Sequence, residues 1–140
     1  MISIIIEAAE NFLRNQISLT TQRVDQLSQM RTVVASIDVK MDDGNIKRVY
    51  LGYNEKLLSE IVSVYLMEDE VDEQTMIDMA LESTNMIVGS AKVLAEEAEK
   101  EHFMITTPIF EKIEDFEHCK CSESSVIQTE KEGLVIAIKG

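Results

Sequence analysis

The chain has 140 residues, 45% hydrophobic and 28% charged, which suits one globular domain rather than a disordered segment. Its 26 acidic residues against 13 basic ones give a formal net charge of −13, a field of the wrong sign for nucleic acid or an anionic membrane surface. No apolar run approaches the ~20 residues that span a bilayer; the apolar start Ile2–Ile6 has no basic lead-in and stops at Glu7, and two closely spaced cysteines make no disulfide framework, so a reducing cytoplasm is the expected setting.

In chain order, Ile2 to Ile17 predicts a helix, with Ile5, Ala8, Ala9, Phe12 and Leu13 on one face. The polar stretch from Ser18 to Gln29 predicts a loop or an irregular strand. Alternation from Arg31 to Lys40, the turn residues Asp42-Asp43-Gly44-Asn45, and Ile46 to Leu51 predict a β-hairpin. Asn54 suits the N-cap of a short helix running to Tyr65. After an acidic break at Met67–Glu73 comes the longest helical pattern, Glu73 to Lys100. His102 to Ile105 predicts a strand stopped at Thr107-Pro108, Asp115 to Lys120 another, and Val126–Gln128 with Leu134–Ile138 a final hairpin around Glu130–Gly133. The whole predicts one α/β (α+β) domain over residues 1–140, with two loosely similar halves, each a helix followed by antiparallel strands.

On the long helix, Ile77, Ala80, Ile87, Ala91, Leu94 and Ala98 fall on one broad face, which should meet the sheet. Asp78, Glu82, Asn85 and Gly89 form a narrow stripe on the opposite side. Any amphipathic helix has a polar face, but Asn is a mediocre helix former and Gly costs ~1 kcal/mol relative to Ala in a helix interior. An idle surface would more naturally carry Glu, Lys or Ala. Gly89 lowers the surface where a partner can come close.

The spacing Asp78-x3-Glu82-x2-Asn85, then twenty-two residues, then the sole proline, Pro108, resembles the signature of the CheC/CheX/FliY chemotaxis phosphatases. The match covers thirty-one residues, and Gly89 agrees with a glycine that the family carries after the Asn. CheC-like members have two such motifs. Here the first helix offers Glu7-Ala8-Ala9-Glu10, with Glu10 where the Asn would stand, so the first site is expected to be dead and the chain to be most like CheX.

The resemblance implies an antiparallel sheet with two long helices on one face, homodimers formed through sheet edges, and hydrolysis of the aspartyl phosphate of a response regulator, CheY. No cofactor is expected on this chain; Mg²⁺ is expected on the regulator. An acyl phosphate is already activated, so the missing element is an in-line water, and positioning dominates such transfers. The Asn85 carboxamide can accept from and donate to that water without adding charge, whereas a carboxylate would be repelled. By resemblance, Glu82 pairs with the regulator's active-site Lys and sets the docking register. Asp78 is expected at the rim, Gly89 against the partner, and Pro108 as a fixed bend after a strand. Lys92 is a candidate to offset repulsion. The alternative is a non-catalytic binding module of the flagellar switch or receptor array; intact Glu82 and Asn85 favour the enzyme. A modulating partner like CheD is left open.

Other features point to packing. His118-Cys119-Lys120-Cys121 on a strand puts only two thiols on one side, too few for a closed zinc site, so no metal is expected. Met76, Met79 and Met86 lie at helical spacing and predict core or core edge, and Tyr50 and Tyr53 predict packing at the end of a strand. No P-loop or Rossmann glycine pattern occurs.

Overall fold

Three helices lie on one face of a seven-stranded antiparallel sheet in the computed structural model, which describes residues 1–24, 31–67, 71–99, 102–115, 123–129 and 132–139. The helices are α1 (Ile2–Asn11), α2 (Glu55–Leu66) and α3 (Glu73–Glu97). The strands are β1 (Gln22–Val24), β2 (Arg31–Met41), β3 (Ile46–Asn54), β4 (Phe103–Ile105), β5 (Ile109–Asp115), β6 (Glu123–Thr129) and β7 (Glu132–Lys139). Their order is β1-β6-β7-β3-β2-β4, with β5 also paired to β2.

The β2–β3 hairpin forms as the alternation requires, but its strands run on to Met41 and Asn54. Its turn needs Gly44, whose φ of +90° lies in the left-handed region. The Asp43 carboxylate accepts from the Asn45 N–H at 2.9 Å. In register, Val33, Ile37 and Val39 stand beside Tyr53, Val49, Leu134, Ile136 and Ile138 on the helix-covered face. Asn54 caps α2 as expected, accepting from the Lys56 N–H at 3.0 Å.

Two expectations need correction, the end of the first helix and the inward face of α3, and one strand was not expected. The first helix is α-helical only to Asn11; Phe12–Gln16 continue as a π turn, whose wider ring keeps Phe12 and Leu13 buried while turning the last residues outward. A strand that the sequence reading did not expect, β5 at Ile109–Asp115, pairs with the first half of β2; the strand expected at Asp115–Lys120 and the His118–Cys121 segment fall, beyond Asp115, outside the described residues. The short helix expected after Asn54 is α2, which packs with α1 and α3 on the same face of the sheet. On α3, Ala80, Ile87 and Ala91 are buried as read, but Ile77 and Leu94 are half-buried and Ala98 is the exposed C-cap; Met79, Ser83, Thr84, Val88 and Ala95 complete the inward face. That face follows the 3.6-residue turn rather than hydrophobicity alone, so it takes in two hydroxyls. Met76 and Met86 sit at its edge and Tyr53 is fully buried.

No helix among the described residues is long and apolar enough to cross a membrane.

Candidate functional site

Helix α3 carries the site, and three features orient it. The Asp72 carboxylate caps its start, accepting from the Thr75 N–H at 2.7 Å; the hydrogen bonds from Thr75 hold that carboxyl below its ordinary range. At mid-helix the buried Tyr53 hydroxyl meets Thr84 Oγ1 at 2.9 Å, and burial pushes the phenol well above its ordinary pKa, so it stays protonated. Thr84 precedes Asn85, so this tie to β3 sets the rotation that turns Asn85 outward. The inward Met79–Ala95 face does the rest by packing.

Asp78, Glu82 and Asn85 are all exposed and Gly89 is half-buried. At 100° per residue they share an arc of about 60°, and at 1.5 Å per residue they span about 16 Å. Asp78 accepts from Gln74 Nε2 at 2.9 Å, one turn back. Glu82 lies near Tyr65 at the end of α2: burial first, and then the Glu82 charge, push the Tyr65 hydroxyl up. Lys92 lies 3.9 Å from Glu96 of its own helix, which draws the expected counter-charge away from the stripe.

Opposite the stripe, the outer neighbour of β2 is broken in two. β4 pairs with Val39–Met41 and β5 with Arg31–Ser36. In the gap, the Thr106 N–H donates to the Asp38 carbonyl at 3.1 Å, and Thr106 Oγ1 accepts from the Asp38 N–H at 3.0 Å. A side chain thus stands in for the ladder. Pro108, with no N–H to give, follows, and pairing resumes at Ile109. The loop and the stripe enclose a cleft of about 490 Å³ lined by Asp78, Leu81, Glu82, Asn85, Ile105, Thr106, Thr107 and Pro108. Four of the five sequence-predicted positions therefore meet in one concavity. The fifth, Gly89, lines an adjoining groove of about 560 Å³ between α1 and α3, and Asn85 lines both. A Cβ built on Gly89 meets nothing within 4 Å, so nothing in this chain's own packing requires glycine there.

Glu7 and Glu10 are placed differently from the α3 pair. Glu7 is exposed, but Glu10 is buried: its Oε1 takes Arg23 of β1 at 2.6 Å and its Oε2 takes Arg14 at 3.3 Å. The residue in the asparagine position faces two guanidiniums. The sequence reading missed Leu81 and Thr106, and it missed the α1 wall of Asn11, Asn15 and Gln16. The cluster of three carboxamides at i, i+4 and i+5 was the available signal for that wall. Among the described residues, no group of three or more His, Cys, Asp or Glu can hold a metal ion.

A family model described as "Chemotaxis phosphatase CheX" matches residues 33–130. No curated protein matches the chain. Among solved structures, the chemotaxis protein CheX from Vibrio vulnificus is 20% identical, with a TM-score of 0.82 over 99% of this chain and 94% of that one. A CheC-like superfamily protein from Shewanella sp. PV-4 is 19% identical, with a TM-score of 0.72 over 99% and 97%. A CheX–CheY–BeF3–Mg²⁺ complex from Borrelia burgdorferi gives 17% identity and a TM-score of 0.71 over 99% and 97%. At these identities the solved structures establish the fold.

Proposed function

The chain belongs to the CheX family of chemotaxis phosphatases, and from that premise we propose that it hydrolyses the aspartyl phosphate of a CheY-like response regulator in the cytoplasm, with Asn85 and Glu82 as the residues that act. The observation that carries this reading is the exposed Glu82–Asn85 pair, one turn apart, facing a cleft closed by Pro108.

Helix α3 enters the regulator's phosphorylation site along its stripe. Asn85 accepts a hydrogen bond from a water and holds its oxygen in line with the phosphorus. The water oxygen bonds to phosphorus as the bond to the aspartyl oxygen breaks. The Asp leaves as a carboxylate, and the water's protons stay with the inorganic phosphate. Mg²⁺, bound by the regulator, neutralises the phosphoryl oxygens when present. Glu82 pairs with the regulator's Lys, which gives orientation more than net affinity. Asp78 contacts the partner at the rim, and Gly89 gives it room.

The reading includes a homodimer. The β4–β5 edge leaves Met104, Ile109 and Phe110 exposed, apolar surface that a second copy would cover. Sedimentation at micromolar concentration tests this, and a monomer would remove it.

The experiment for the enzyme is phosphate release from the phosphorylated regulator of the same organism, alone and with wild-type chain or Asn85→Ala. Acceleration by wild type alone supports the enzyme. Binding without acceleration by either moves the assignment to a non-catalytic module.

A further inference from the structure

Among the described residues, a second large concavity, the groove between α1 and α3, has an α1 wall to which the reaction assigns no part. It shares Asn85 with the catalytic cleft, so the two are continuous around one side chain. In a chain of 26 acidic residues, not one residue lining this groove is charged. Its α1 wall presents carboxamides: Asn11, Asn15 and Gln16, all exposed. Its floor includes Gly89, where a Cβ would meet nothing within the chain.

The α1 wall is held in place. Asn15 and Gln16 fall in the π turn, a backbone form found disproportionately at functional sites. Phe12 of that turn stacks on Tyr65, with ring centroids 6.4 Å apart and 15° between planes. The Tyr65 hydroxyl donates to Gln16 Oε1. An amide whose oxygen is taken in this way still has both N–H bonds of its NH₂ to donate. The same Tyr65 lies within electrostatic reach of Glu82, so one aromatic ring links the wall to the catalytic stripe.

We propose that the π turn of α1 is the second wall of the docking surface, with Asn15 and Gln16 as specificity-determining residues that take the acidic rim of the phosphorylated regulator while α3 enters its phosphorylation site. The inference rests on the phosphatase reading above and names the surface that recognises the substrate. Charge decides the occupant. An aspartyl phosphate site carries the carboxylates that hold its divalent cation together with the phosphoryl group, so its surroundings are anionic. The net charge of −13 repels such a partner; a groove with no charged lining and exposed carboxamides beside Asn85 admits it.

The test is affinity for the regulator of the same organism, activated with beryllofluoride and Mg²⁺, alongside steady-state phosphate release. Asn15→Asp and Gln16→Glu each put a like charge on the wall and should weaken binding about tenfold, the loss falling in KM rather than kcat. Asn15→Lys and Gln16→Lys should bind at least as well as wild type, with a steeper salt dependence. The Asn15 variants, at an exposed position, should unfold near wild type; Gln16→Glu keeps an oxygen for Tyr65, and Gln16→Lys, which does not, is read against Asn15→Lys. Acidic and basic variants that match wild type, or that weaken alike, overturn the second wall and leave the phosphatase reading intact. Wild type that neither binds nor hydrolyses overturns both.

Discussion

Helices α1 and α3 pack against each other on the same face of one sheet, yet they use their acidic positions in opposite ways. On α3, Glu82 and Asn85 point outward into a cleft because Tyr53 and Thr84 fix the rotation of the helix. On α1, Glu10 turns inward and is neutralised by Arg14 and Arg23. A Glu followed three residues later by a polar residue therefore defines no site by itself. What decides is which way the helix is turned and whether the charge is already taken.

The largest effect expected from this contrast is on chemistry. Asn85→Ala should cut phosphate release about 100-fold or more, the scale of losing a positioned reactant, while binding to the activated regulator survives. Unchanged release would remove the water-positioning role. Next, Glu10→Asn restores the missing motif residue on α1. It should lower stability by about 1–2 kcal/mol, because the carboxylate is buried but both arginines are half exposed, and it should add no hydrolysis. Denaturant melts with the same phosphate assay check both halves; a gain in rate would break the comparison.

Tyr53→Phe leaves the buried Thr84 hydroxyl without its partner and should cost about 1 kcal/mol, with kcat falling if the rotation of α3 loosens. Gly89→Ala should stabilise α3 by up to about 1 kcal/mol, since the added methyl meets nothing in the chain, while raising KM. A rise in Tm with KM unchanged would mean that no partner comes close there.

The smallest effect is electrostatic. Arg48 donates to Asp38 at 2.8 Å, and that hydrogen bond lowers the Asp38 pKa. A carboxyl depressed in the folded state stabilises fully above its unfolded value of about 4 and loses that contribution as pH falls through the folded value. Asp38→Asn should therefore lower Tm slightly at pH 7 and converge with wild type near pH 2, as read by thermal melts across that range.

That Asp78, Glu82, Asn85 and Pro108 would line one candidate cleft was legible in the sequence because their signals are local. Asp78, Glu82, Asn85 and Gly89 obey helical spacing, and the sole proline marks the break between strands. Strand β5 was not, because its pairing with β2 shifts register between Val34 and Ala35, and Ile109–Asp115 carries charges where a buried strand would alternate. The π turn escaped because a widened ring leaves the apolar spacing of Phe12 and Leu13 intact. The fate of Glu10 depends on Arg23, thirteen residues away and on another element, and no helical period can report that.

The pairing of β1 with β6 sets an order of assembly during synthesis. Gln22 opposes Gln128, about a hundred residues downstream, whereas the β2–β3 hairpin closes across a short turn. Helix α1 leaves the ribosome more than a hundred residues before the strands beneath it, β6 and β7. Non-local pairings of this kind form late and slowly. The Asp78–Gly89 stripe of α3 is synthesised before the strands that support the groove beside it. A nascent chain that stops short of residues 123–139 thus carries Glu82 and Asn85 on a helix whose neighbouring wall has nothing to rest on.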